Sequence, residues 1–369
     1  MNPVQSTPRP DDRPDVRSCV RPYVRPLDLK NGRVDMTHGA GGRAMAQLIS
    51  DLFARHLGND YLGQGNDGAV LPAPILDGKP ARLVMSTDGH VVSPLFFPGG
   101  DVGCLSVHGT LNDVAVMGAV PLYLAAAFIL EEGLPLADLA RIVQSMAHAA
   151  HVAGVPVVTG DTKVVQRGKG DGIFITTTGV GVMPDGLDIG GHRARSGDAI
   201  LVSGTMGDHG VAIMSLRENL SFDAPILSDT AALHGLIAQV LATGADIHCL
   251  RDPTRGGLAS TLNEIASQSG VGMMLQESAI PIKPVVAAAC EFLGLDPLYV
   301  ANEGKLIVVC ASPDAPRVLA AMHTHPLGVD AAVVGTVLPD DRHFVQLATA
   351  FGGRRVVDWL TGEQLPRIC

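Results

Sequence analysis

The sequence predicts an α/β fold with two domains and a C-terminal tail. Strand-like and helix-like hydrophobic patterns alternate along residues 34–182 and again along residues 183–350. Glycine is abundant, with 43 residues among 369, and 46% of the residues are hydrophobic. These proportions favour two cores surrounded by tight loops. We therefore expect a ligand site in a cleft between the domains.

The first domain contains one clear amphipathic helix. Pro135 precedes it, Gly154 follows it, and the apolar residues between them fall at helical spacing. The predicted strands of this domain lie near residues 83–86, 122–129, 155–158 and 173–178. In the second domain, strands are predicted near residues 200–202, 273–275 and 306–310, and helices near residues 211–216, 233–241 and 258–266.

The two ends of the chain are predicted to differ from the domains. Residues 1–33 are rich in proline and arginine, and the prolines forbid a continuous helix, so a disordered leader is expected. Residues 351–369 are predicted to form a flexible tail that ends in Cys369. The ten residues after Trp359 span up to ~36 Å when extended. This reach suits a carrier thiol that is loaded in one place and processed in another.

Composition excludes several classes of function. A formal net charge of −10 argues against general nucleic-acid binding, and no apolar run is long enough to cross a membrane. The six cysteines form no C-x-x-C pair, which indicates reduced thiols and a cytoplasmic protein.

Acidic residues beside small residues mark the candidate chemistry. Asp67, Asp88 and Asp161 lie next to predicted strands, and Asp113 falls in a helical stretch. A single such aspartate is ordinarily a turn residue or a helix cap, but several in one domain favour a site for Mg²⁺ and a nucleotide. In the second domain, Asp252 is placed to complete the metal site, and Arg255 is expected to bind a phosphate.

A glycine-rich segment, HGAGG at 38–42, precedes a helix predicted over residues 44–56. Backbone N–H groups at such a helix start bind anions, although a plain loop is equally compatible with the pattern. The spacing does not match a Walker A loop.

The motifs in combination resemble the HypE family of hydrogenase maturation proteins, in the superfamily of aminoimidazole ribonucleotide synthetase and selenophosphate synthetase. The resemblance rests on HGAGG at 38–42, FFPGGDVG at 96–103, GTLNDVAVMGAVP at 109–121, GDTKVV at 160–165, DPTRGGL at 252–258 and the terminal PRIC. It implies a PurM-like N-terminal mixed α/β domain that binds ATP and forms a barrel-like core with a second copy. The C-terminal domain would be a mixed sheet with helices on one face.

The resemblance also implies the site residues. Asp67, Asp88, Asp113 and Asp252 would hold Mg²⁺ and phosphates. The remaining contacts to ATP would come from Asn112, Gly160, Asp161, Thr162 and Lys163.

The implied reaction is the ATP-dependent dehydration of a carbamoyl group carried on Cys369. The carbamoyltransferase HypF would load the thiol, and the resulting thiocyanate would supply cyanide to iron in a HypC–HypD complex. Lys163 would contact a phosphate or the amide oxygen. Glu303 is the candidate base, although a glutamate between Asn302 and Gly304 also suits a surface turn.

Two other functions stay open at this point. The chain has the features of a different ATP-using enzyme of the superfamily, such as a selenophosphate or aminoimidazole ribonucleotide synthetase. It also suits a non-catalytic assembly scaffold that ATP switches between conformations.

Overall fold

The computed structural model describes residues 42–48, 50–51, 66, 69–72, 81–220, 222, 225–362 and 365–369. The predicted leader over residues 1–33 and the candidate ligand Asp67 lie outside these residues. So does the glycine-rich motif at 38–42, apart from Gly42.

The strands are β1 (Ala69–Pro72), β2 (Ala81–His90), β3 (Phe96–Phe97), β4 (Gly100–Asp101), β5 (Val120–Glu131), β6 (Val157–Val165), β7 (Ile173–Pro184), β8 (Ala199–Val202), β9 (Ile247–Arg251), β10 (Gly272–Gln276), β11 (Ile307–Cys310), β12 (Ala332–Leu338), β13 (Val345–Ala348) and β14 (Arg354–Val356). The helices are α1 (Arg43–Leu48), α2 (Val102–Val116), α3 (Leu136–Ala153), α4 (Asp208–Arg217), α5 (His234–Ala242), α6 (Gly257–Ser269), α7 (Pro284–Leu293) and α8 (Ala315–His323).

The first sheet has the strand order β1-β2-β7-β5-β6. Strands β5 and β6 are parallel, and the other neighbours in this sheet are antiparallel. Helix α2 packs on β2 and β7, and α3 packs on α2. The Asp101 carboxylate caps α2 by accepting from the N–H groups of Gly103 and Cys104. One face of the sheet is thereby covered by helices.

The opposite face of this sheet, which we call the open face, carries exposed apolar side chains. Met85, Tyr123 and Ile129 are 46%, 51% and 43% exposed, respectively. Strand β6 is exposed along almost its whole length. A sheet face of this kind is typical of a surface that packs against another molecule.

The second sheet has the strand order β14-β13-β10-β12-β8-β11-β9. Strands β10 and β13 are parallel, and the other pairs are antiparallel. Helices cover both faces, so the expectation of helices on one face is wrong. Ile200 and Val202 pack with α6, whereas Ala199 and Leu201 pack with α5 and α8. The continuous apolar run of β8 is the physical reason, because both faces of the strand are buried.

The predicted α/β class is confirmed, with two mixed sheets and their helices. The amphipathic helix is α3, which buries Ile142 and Met146 and ends at Gly154 in a left-handed conformation. All the cysteines in the described part of the chain are free thiols. No helix among the described residues has the length and apolar character needed to cross a membrane.

Candidate functional site

Asp88 and Asp113 lie beside each other where β2 packs on α2. The Oδ2 atom of Asp88 is 3.4 Å from the place that a Cβ on Gly109 would occupy. One helical turn further on, Asp113 accepts a 2.8 Å hydrogen bond from the Ser86 hydroxyl. Ser86 and Asp88 are two residues apart on one face of β2, so the two carboxylates are separated by roughly one helical turn, ~5–7 Å.

Glu303 is buried and tightly held, which excludes the surface turn considered from the sequence. Glu303 is only 3% exposed. Its backbone N–H donates to the Asp229 carboxylate at 3.0 Å, and Asn302 binds the Pro253 carbonyl at 2.9 Å. A Cβ on Gly304 would lie 1.9 Å from the Asp229 carbonyl oxygen, so only glycine fits there.

The pKa of Glu303 is raised well above its ordinary value. Burial is the main cause, and the negative charges of Asp88, Asp252 and Asp229 add to it. The Arg255 guanidinium opposes this shift. A carboxyl group with a raised pKa is a stronger base once it has lost its proton.

Arg255 brings a positive charge to the same place. Its own pKa is raised, first by Cys369 and then by Asp88, Glu303 and Asp113. The loop that carries it needs Gly257, whose φ is +59°, because a Cβ there would lie 2.6 Å from two carbonyl oxygens. The preceding Asp252 is buried.

The C-terminal tail lies against the protein and delivers Cys369 to these groups. The N–H of Val91 donates to the Cys369 carbonyl at 3.1 Å, and the N–H of Ser93 donates to the Arg367 carbonyl at 3.1 Å. Ile368 is 2% exposed and packs in the same core cluster as α2. The tail thus pairs with the segment that follows β2, and its last residue interacts electrostatically with Asp88.

Cys369 is a neutral thiol in this position, since its pKa is raised above the ordinary value. Burial is the largest cause; Glu303, which interacts directly with the thiol, and Asp88 raise it further, while Arg255 lowers it. The docked sulfur is therefore a poor nucleophile.

Asn112 takes a position that the motif did not predict. Its side-chain amide donates to the Ala231 carbonyl at 3.0 Å, and its oxygen accepts from the Leu233 N–H at 2.8 Å. These bonds join α2 to the segment that packs on Glu303. The side chain is 1% exposed. Nucleotide binding by Asn112 stays a prediction.

The segment with Gly160, Asp161, Thr162 and Lys163 lies on β6, at the edge of the first sheet. One row of paired residues crosses this sheet, namely Asp88, Thr177, Ala126 and Gly160. Three interstrand steps separate its ends, roughly 14 Å. Side chains alternate along a strand, so Asp161 and Lys163 point to the open face, opposite to Asp88. Within one chain the structure does not bring them to Cys369; they form an exposed ion pair instead.

The chemistry of the acidic groups suits Mg²⁺, which prefers carboxylate, phosphate and water oxygens. Asp88 and Asp113 are neighbours, and the negative charge of Asp252 raises the pKa of Glu303. In the described ranges, no group of three or more histidine, cysteine or acidic side chains has metal-binding geometry. The donor types fit a cation that takes one or two carboxylates and several nucleotide oxygens.

The candidate site therefore brings together six of the predicted residues, Asp88, Asp113, Asp252, Arg255, Glu303 and Cys369. Asp229 and His90 also belong to the site and were not predicted from the sequence. Asp229 is buried and its pKa is raised to about 6, mainly by burial. His90 is 2% exposed, and burial lowers its pKa. The only signal for His90 was its position directly after the Asp88-Gly89 pair.

Comparison with known families gives two adjacent matches. Residues 65–183 match the N-terminal domain of AIR synthase related proteins, and residues 195–348 match the C-terminal domain. Carbamoyl dehydratase HypE of Cupriavidus necator is 68% identical to this chain, over 93% of the chain and 97% of the relative.

Two solved structures are similar over most of their length. A HypE–HypF complex contains a chain with 48% identity and a TM-score of 0.79, covering 85% of this chain and 99% of that one. A hydrogenase maturation protein HypE in complex with ATP has 50% identity and a TM-score of 0.76, covering 90% and 99%. With its two matched domains and its docked terminal cysteine, the chain belongs to the HypE family of AIR synthase related proteins.

Proposed function

We propose that the protein is an ATP-dependent carbamoyl dehydratase that makes a thiocyanate on Cys369 during hydrogenase maturation. The observation that carries the proposal is that the Cys369 thiol contacts the Glu303 carboxyl group and interacts electrostatically with the Arg255 guanidinium and with Asp88. A carrier thiol, a base and a positively charged side chain are thereby assembled in one site. The 68% identity to a carbamoyl dehydratase HypE and the likeness to a HypE bound to ATP support it.

The chemistry starts from a carbamoyl group, –S–C(=O)–NH₂, on the sulfur. Its oxygen attacks the terminal phosphorus of ATP, ADP leaves, and a C–O–P linkage forms while the nitrogen loses one proton. The nitrogen then loses its second proton, the C–O bond breaks, and phosphate departs, which leaves –S–C≡N. The two steps remove the elements of water from the carbamoyl group and consume one ATP.

Glu303 is the group that takes protons from the nitrogen. It lies against the sulfur, and its raised pKa makes it a stronger base than an ordinary glutamate. Arg255 is placed to attract the amide oxygen or the phosphate that binds it, since five N–H donors suit such oxygens. The buried docking of Ile368 excludes water, which would otherwise hydrolyse the activated carbamoyl group.

Asp88, Asp113 and Asp252 would hold Mg²⁺, and Asp67 remains a predicted fourth ligand outside the described residues. The cation would neutralise charge on the triphosphate. The protein's part is to supply the carboxylates on rigid elements, β2 and α2, and on the loop of Arg255.

We also propose a homodimer formed through the open face. Its exposed apolar side chains include Met85, Tyr123 and Ile129. Asp161 and Lys163 lie on this face, so pairing of two sheets places them at the contact. The predicted nucleotide contacts of the Gly160–Lys163 segment, and the predicted role of Lys163, then belong to a site shared by two copies.

Loading of Cys369 takes place with the tail away from the site, because the docked thiol is half-buried and neutral. HypF is the proposed loading partner, since a similar HypE chain is solved in complex with HypF. A HypC–HypD complex is the proposed acceptor of the cyanide, and the cytoplasm is the proposed location.

Mass spectrometry of the C-terminal peptide tests the function. The full chain, carbamoylated on Cys369 and given ATP and Mg²⁺, is expected to lose one water from this peptide and release one phosphate. The matched control replaces ATP by a non-hydrolysable analogue. An unchanged peptide mass in a fully loaded sample contradicts the proposal. ATP-dependent phosphorylation of a small molecule by a chain with an empty tail would instead favour a synthetase.

A further inference from the structure

Helix α4 (Asp208–Arg217) runs beside the end of the tail and contacts it at both of its ends. His209 lies in its first turn, and Arg217 is its last residue. They are eight positions apart, which is ~12 Å along a helix. Four tail residues, 366–369, cover a similar length when extended.

His209 holds the residue before the carrier cysteine. Its Nε2 atom lies 2.7 Å from the Ile368 carbonyl oxygen, and its Nδ1 atom lies 2.7 Å from the Ser228 hydroxyl. A carbonyl only accepts, so Nε2 carries the proton and the Ser228 hydroxyl donates to Nδ1. The ring is fully buried and stands edge-on to Phe97 at 5.5 Å. This environment fixes the direction of the N–H group that the tail meets.

Arg217 joins the tail to the end of β2. Its Nε atom donates to the Ser93 carbonyl at 2.6 Å. Its two terminal nitrogens donate to the carbonyl oxygens of Pro366 and Arg367. One planar guanidinium therefore binds three carbonyl oxygens, two of which belong to the tail.

In the last five residues, 365–369, the tail is also held through the Arg367 side chain. Arg367 forms an ion pair with Asp171 and has a left-handed backbone with φ of +53°. The Arg367 Nε atom also donates to the Val91 carbonyl at 3.3 Å. The hydrogen bonds donated by Val91, Ser93, His209 and Arg217 reach main-chain carbonyls of the tail.

Resting on the proposed function, we propose that His209 and Arg217 are positioning residues that grip the tail by its main-chain carbonyls and fix the register of Cys369 against Glu303. The grip acts on the main chain of residues 366–368 and does not involve the side chain of Cys369. The position of the sulfur is then set by its distance in sequence from Ile368, and the length of chain before the grip has no influence on it.

Insertions in the tail test the register without touching the body of the protein. A glycine inserted between Ile368 and Cys369 moves the sulfur by one residue, ~3.4 Å, and is expected to reduce dehydration of a loaded tail at least about a hundredfold. The matched control inserts a glycine between Thr361 and Gly362, before the grip, and is expected to stay within about twofold of the parent. Equal losses of dehydration rate in the two insertion variants would overturn the proposed register of Cys369 against Glu303.

The grip itself is tested without turnover, by alkylation of Cys369 with iodoacetamide at neutral pH and mass spectrometry of the terminal peptide. Arg217→Met and His209→Gln are expected to alkylate at least about tenfold faster than the parent. Arg217→Lys, which keeps one donor, should recover part of the protection. Arg342→Met, at an exposed arginine that pairs with Asp340, is the control.

Equal alkylation rates in Arg217→Met and the parent contradict the grip. The KM for ATP is expected to change little in these variants, whereas kcat on a loaded tail falls, which separates a lost position from a misfolded nucleotide site. If Cys369 of the parent chain is protected from alkylation but a loaded tail is not dehydrated, the grip is supported and the proposed function is refuted.

Discussion

His209 donates a 2.7 Å hydrogen bond to the carbonyl oxygen of Ile368, the residue that precedes the terminal cysteine. The contact links the second domain predicted from the sequence to the last peptide unit of the chain. Together with the backbone bonds from Val91 and Ser93, it places the Cys369 sulfur beside Glu303.

Replacing Cys369 by serine is expected to abolish thiocyanate formation and leave ATP binding unchanged, because the sulfur carries the cargo and the other site residues stay in place. Calorimetric titration with ATP and mass spectrometry of the terminal peptide measure the two properties. Cys104→Ser is the control, since it removes a thiol outside the site. Product formation by Cys369→Ser would rule out the carrier role.

Replacing Glu303 by glutamine is expected to lower the rate of dehydration about 100- to 10,000-fold, the usual contribution of a general base. The parent rate should rise with pH over a range above that of an ordinary glutamate, because burial and three aspartates raise the Glu303 pKa. Single-turnover rates measured across pH check both statements. The exposed Glu291 supplies the control, Glu291→Gln, and a parent-like rate in Glu303→Gln would exclude the base.

Asp229 should make the stability of the protein depend on pH. Burial raises its pKa from 3.8 to about 6, so the folded state binds this proton more tightly than the unfolded state. The stability contribution is therefore present below about pH 4 and is lost as the pH rises through about 6. Relative to the parent, Asp229→Asn should gain roughly 1–3 kcal/mol in free energy of unfolding between pH 4 and pH 7.

Urea unfolding at a series of pH values measures this difference. Asp330→Asn, at an exposed position, should show no such trend. A constant difference between Asp229→Asn and the parent across this range would contradict the assignment.

Gly257→Ala is expected to destabilise the protein by about 2–4 kcal/mol, because a Cβ would collide with the carbonyl oxygens of Leu298 and Val300 at 2.6 Å. Gly294 has a similar φ of +68° but open space around it, so Gly294→Ala should cost only about 1 kcal/mol. Chemical denaturation compares the two variants. Equal losses would show that backbone conformation alone sets the cost.

Tyr123→Glu is expected to convert the proposed dimer to monomers, because a charge on the open face opposes burial of that face. Phe292→Glu, at another exposed aromatic residue on α7, should leave the assembly unchanged. Sedimentation velocity measures both. A Tyr123→Glu variant with the mass of the parent assembly would place the contact elsewhere.

Much of the site followed from the sequence because its residues stand in short polar motifs beside strands. Asp88 was marked in this way, Asp113 lies in a motif on a predicted helix, and Asp252 and Arg255 share one motif of the second domain, whereas Glu303 was named through the family resemblance. The positions of Asp161 and Lys163 did not follow, because the face to which a strand residue points depends on register, which a motif does not reveal.

His209 and Arg217 left no sequence signal for a different reason. Their partners are main-chain carbonyls, which every residue carries, so neither end of the interaction has a characteristic residue type. The role of Asn112 was hidden in the same way, since its amide binds the backbone of a segment far along the chain.

The contacts of His209 and Arg217 with main-chain carbonyls do not depend on whether Cys369 carries a carbamoyl group. A tail that has given up its cargo offers the same carbonyls to α4 and fills the same space as a loaded one. Between rounds of catalysis we therefore expect the unloaded tail to return to its place beside Glu303 and to compete there with a loaded one.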